Sequence, residues 1–159
     1  MAVTTENSTE YGELILDPPT IQPGDEYTGK TRVLKFTFTQ GAAAGDANSL
    51  ANLTLLPAGR WAVLTGLSKV KFDAFGASRT LDIGHTGYTE PDGTSVNADV
   101  DAFADGIDVE NAGVSFMDAG DGMVRVIDAV NPVVIQAKVL GGTIPIGTKV
   151  FGFIVAIQQ

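Results

Sequence analysis

Residues 32–40 alternate cleanly. Leu34, Phe36 and Phe38 fall on one side of an extended chain and Lys35, Thr37 and Thr39 on the other, the period-two signature of a half-buried strand. Residues 50–56 form a second apolar run that stops at the turn signal Pro57-Ala58-Gly59. Residues 61–74 are long for one strand, and their phase changes near Gly66. Trp61, Val63 and Thr65 share a face before it, and Val70, Phe72 and Ala74 take the inward phase after it, so a bulge at Gly66 is expected. Gly76-Ala77-Ser78 then turns the chain into residues 79–88, where Leu81 and Ile83 point inward. These two runs are expected to pair as an antiparallel hairpin.

Beyond the Pro91-Asp92-Gly93 turn, Val100, Phe103, Ala104 and Ile107 recur at i, i+3, i+4 and i+7. With Asn97 or Asp99 as cap and Gly106 near the close, that spacing predicts a short helix. Residues 113–122 read as a loop, and three further strands are expected over 123–129, 132–140 and 149–157. The last is apolar on both phases, as a central strand is. The fold class is therefore all-β: a two-sheet antiparallel sandwich, jelly-roll-like, with about eight strands and one short helix. Residues 31–159 form its single domain, preceded by an extended arm over residues 1–30.

Within the arm, Tyr11, Leu14, Ile15 and Leu16 supply a short apolar patch ahead of Pro18-Pro19. Two readings are open: a terminus crossing its own domain, or an arm draped over a neighbouring subunit. In the second, these four residues are the candidate protein interface.

Composition sharpens the picture. Glycine at 19 and proline at 7 of 159 residues, with only 18% charged, suit short strands and tight turns. A formal charge of −9 with no basic run argues against nucleic acid and anionic membrane as partners. The absence of cysteine excludes disulfides and thiolate sites and agrees with synthesis in a reducing compartment. The first residues lack the basic-then-apolar pattern of a secretory signal, so retention in the cytosol is expected. The apolar stretch 150–157 is far shorter than the ~20 residues a spanning helix needs.

Chemistry is sparse. His85 is the only histidine, and no G-x-S-x-G elbow accompanies it, so a structural role is favoured over a triad. The acids Asp99, Asp101 and Glu110 sit at calcium-loop spacing, but Phe103 and Ala104 occupy the positions that need an oxygen ligand and a glycine. No phosphate-binding glycine motif is present. No catalytic residue, metal or cofactor is expected.

From Lys69 onward the chain reads KVKFDAFG, then RTLDIGHTGY, an acidic alanine-rich ADVDAFADGIDVENAG and a terminal PVVIQAKVLGGTIPIGTKVFGFIVAI, all preceded by LPAGRW. Over roughly residues 56–159 this resembles small virion structural proteins of tailed bacteriophages, of the capsid decoration or cement type. The resemblance implies a β-sandwich made in the host bacterial cytoplasm and located on the capsid exterior. It implies the major capsid protein as partner and a homo-oligomer, with the trimer that such proteins often form. No enzymatic activity follows from it. A head-fibre or tail-associated receptor- or carbohydrate-binding module is the second reading, and it predicts exposed aromatics at Trp61 and Tyr88.

Overall fold

Nearly every alternating run becomes a strand. The computed structural model describes residues 5–15, 31–41, 45–46, 48–118 and 123–159. In order these contain β1 (Thr5–Asn7), α1 (Thr9–Leu14), β2 (Thr31–Thr39), β3 (Leu50–Leu56), β4 (Gly59–Val63), β5 (Lys69–Phe72) and β6 (Thr80–His85). There follow β7 (Tyr88–Thr89), β8 (Ser95–Val96), β9 (Asp99–Asp108), β10 (Gly113–Phe116), β11 (Arg125–Ala129), β12 (Val133–Leu140) and β13 (Lys149–Gln158).

The first sheet runs β1-β3-β12-β6-β9, and β1 joins it parallel to β3. In the second, β13 pairs with β2 along one edge; its other edge takes β5 at Val150 to Phe153 and β4 at Ala156 to Gln158. β4 and β5 are thus two halves of one strand, extended sideways by β11 and β10 respectively. Each sheet has four main positions, β3-β12-β6-β9 facing β2-β13-β4/β5-β10/β11, and the chain crosses between them in jelly-roll order. The expected sandwich class is what the chain adopts. β13, the run apolar on both phases, is central.

The core lies between the sheets. Phe36 and Phe38 from β2, Trp61, Val70 and Phe72 from β4 and β5, and Ile154 from β13 meet Leu53, Ile83, Phe103 and Ile135 from the opposite sheet, all buried. Four connections gather at one end of the sandwich. There Gly45 bridges Ile144, the Phe75 N–H donates to the Val109 carbonyl, and the Gly141 backbone passes close to Ser78.

Four expectations are corrected. The segment around residues 97–107 is not a helix but β9. Opposite β6 its register slips between Leu81 and Ile83 and again between Ile83 and His85, so β9 spends extra residues in bulges. Each bulge shifts the side-chain phase, which buries Ala102, Phe103 and Ala104 in succession and produces apolar spacing that imitates a helix. The expected hairpin of 61–74 with 79–88 does not form, because β5 and β6 belong to opposite sheets. The turn between them, with Gly76 and Ser78 at positive φ, carries the chain across the sandwich. At Gly66 a 3-10 turn, Thr65–Leu67, replaces the simple bulge. The loop read at 113–122 opens with a strand, β10.

Candidate interaction surface

The two outer faces of the sandwich differ in chemistry. On the second sheet, alternation buries Val70 and Phe72 of β5 and turns Lys69 and Lys71 outward. The register places Val114, Lys71, Phe151 and Thr37 in one cross-strand row and Phe116, Lys69, Phe153 and Lys35 in the next. Directly opposed side chains interact. The Lys69 ammonium stands 4.5 Å from the centre of the Phe116 ring, and that of Lys71 stands 5.3 Å from the Phe151 ring, both within cation–π range. Val114 and Phe116 remain 62% and 53% exposed. Val124 and Val126, leading into and along the neighbouring β11, are exposed as well. The outward positions of β2, β5, β10 and β13 carry no carboxylate.

The outer face of the first sheet is polar at its middle and bonded to itself. Asn7, Asn52 and Gln136 stand in one row; the Asn52 amide donates to Asn7 Oδ1 and the Gln136 amide to Asn52 Oδ1, each at 2.7 Å. Its far edge, β9, is acidic. Asp82 on β6 accepts the Gly106 N–H at 2.9 Å, holding the β9 bulge where Gly106 has a positive φ. Burial raises the Asp82 pKa, opposed by that hydrogen bond. Asp99 is raised too, chiefly by its hydrogen bond with Asp101 and then by burial.

Residues 5–8 sit on this sheet. β1 pairs with β3, the Glu6 carboxylate accepts from the Gln40 amide and the Gly41 N–H, and the Ser8 hydroxyl bonds Leu53 O. Ser8 also accepts the Tyr11 N–H at 3.0 Å, which caps a single helical turn and a half where an extended arm is expected. Of the four candidate interface residues, Tyr11 is half-buried on α1 and Ile15 follows it with its side chain exposed. Leu14 closes α1, and Leu16 lies outside the described residues.

His85 is buried, edge-on to Tyr88 with ring centres 5.3 Å apart, and its Nδ1 lies 2.8 Å from the Thr86 carbonyl oxygen. Trp61 is 1% exposed, under the guanidinium of Arg32 at 5.1 Å, so it offers no outward platform. Among the described residues no group of three or more His, Asp or Glu side chains is placed to hold a metal. None of their helices is long and apolar enough to cross a membrane.

Sequence reasoning named the arm and missed the lysine and phenylalanine rows. Their only trace was the KVKF alternation and the double-sided apolarity of the last strand, and neither shows that β10 lies alongside.

No protein-family model and no curated protein matches the chain by sequence. Solved structures do. A chain in the capsid of Ralstonia phage GP4 superposes with a TM-score of 0.67 at 18% identity, covering 98% of both chains. A chain in the capsid asymmetric unit of cyanophage Pam1 superposes at 0.57 and 13% identity, over 88% of this chain and 93% of that one. What this chain shares with both is the fold, over nearly its whole length with the first and over most of it with the second.

Proposed function

We propose that this chain is a non-enzymatic structural protein of a tailed-phage virion, one that binds the capsid shell from outside and stabilises it as a decoration or cement protein. The observation that carries the reading is the correspondence, over 98% of both chains, with a chain of the Ralstonia phage GP4 capsid, joined to the sequence resemblance from Lys69 onward. The partner is the major capsid protein. Copies arrayed on a lattice add weak contacts into firm attachment. A homo-oligomer, with a trimer as the working stoichiometry, presents several such contacts at once. Tyr11, Leu14, Ile15 and Leu16 remain candidate contacts within that assembly.

A buried Trp61 weighs against the alternative of a receptor- or carbohydrate-binding module on a head fibre or tail, since its expected aromatic platform is missing there. The test is to add purified protein to expanded shells assembled without it. Saturable co-sedimentation and a higher shell rupture temperature are expected. Absence of binding, together with affinity for host-surface glycans, would transfer the reading to the alternative.

A further inference from the structure

Resting on that shell-binding reading, we propose that the outer face of β5, β10 and β13 is the surface that grips the shell, and that the shell meets it with a patch combining carboxylates and apolar side chains. The two lysines of β5 are flanked on both sides by apolar side chains: Val114 and Phe151 beside Lys71, Phe116 and Phe153 beside Lys69. Among the described residues neither pairs with a carboxylate; each ammonium lies over a phenylalanine ring. In a chain of net charge −9, a face with outward lysines and no acid is complementary to an acidic partner and unlike the rest of the molecule.

Exposed Val114 and Phe116 add apolar area whose burial favours association. Lysines already held over rings lose less rotamer freedom when they dock, which lowers the ordering cost. The opposite outer face offers no such potential, because its central amides bond one another and its β9 edge is acidic. That acidic side would be turned away from an acidic shell. A polyphosphate or anionic lipid surface fits less well, since the net charge repels it and a run of phosphates does not complement a face half made of phenylalanine and valine.

The experiment compares wild type with K69E/K71E, K69R/K71R and Phe116→Ser in co-sedimentation with shells lacking the protein, each variant first checked for an unchanged melting temperature. Charge reversal is expected to weaken binding about tenfold or more, Phe116→Ser to weaken it, and the arginine pair to keep it. Wild-type binding should also weaken steadily as salt is raised, a readout independent of any variant's folding. Undiminished binding by K69E/K71E, with salt-independent wild-type binding, would overturn the surface while leaving the shell-binding function standing. Wild type that fails to bind shells at all would overturn both. A reversal that changes only the mass of the free protein in light scattering would make this face a contact between copies and likewise overturn the proposal.

Discussion

Two glycines show how tightly neighbouring backbones set individual residues. A Cβ at Gly152 would lie 2.2 Å from the Lys69 carbonyl oxygen and 2.9 Å from the Phe36 ring, and one at Gly84 would lie 2.0 Å from the Asp99 carbonyl oxygen. Both face backbone that cannot swing aside, so Gly152→Ala should cost about 1–3 kcal/mol, read as a lower urea midpoint. An unchanged midpoint would mean that β5 and β13 are not this close. Asp82 carries the second prediction at this scale. Its carboxyl, like that of Asp99, titrates above the ordinary 3.8, so between that value and the raised native pKa the folded state binds more protons than the unfolded one. Their contribution to stability is therefore largest at the acid end of the window and is lost as pH rises through the native pKa. Asp82→Asn keeps an acceptor for the Gly106 N–H but does not titrate. Its stability relative to wild type should increase from about pH 4 towards about pH 7 in denaturant titrations, and parallel curves would contradict the assignment.

Elements were legible where one face is buried and the phase is unbroken. Residues 50–56 match β3 at both ends, and the alternation of Leu34, Phe36 and Phe38 locates β2. β9 was illegible because bulges reset its phase, leaving Val100, Phe103, Ala104 and Ile107 at helical spacing on an extended chain. The absent hairpin failed for another reason: a turn at Gly76 and Ser78 fixes a change of direction but not which sheet receives the next strand. At the amino terminus, β1 covers the free edge of β3, and an exposed strand edge invites pairing with other chains. Deleting residues 1–16 should therefore lower the melting temperature by several degrees and raise aggregation. If those residues also clasp a neighbour, the truncated protein binds shells more weakly at temperatures where it stays folded; undiminished binding would confine them to their own domain.

The molecule as a whole is a sandwich with unlike sides. One outer face is lined with amides that satisfy one another beside an acidic edge, the other with lysines set among phenylalanines and valines. The jelly-roll class was readable from strand spacing and glycine content, because those follow from local alternation. The interaction face was not, since it exists only once β10 is laid beside β5 and β5 beside β13, a register that separations of tens of residues conceal. The arm residues drew notice because an apolar patch between polar residues and prolines is visible locally, and the larger patch was spread over three strands.

Cryo-electron microscopy of phage particles assembled in cells that express this chain tests its proposed assignment to the capsid shell most directly. Jelly-roll density repeated across the icosahedral lattice, outside the shell and with β5, β10 and β13 turned towards the major capsid protein, is the expected result. Density confined to a tail or a single vertex, or a virion without this chain, would contradict it.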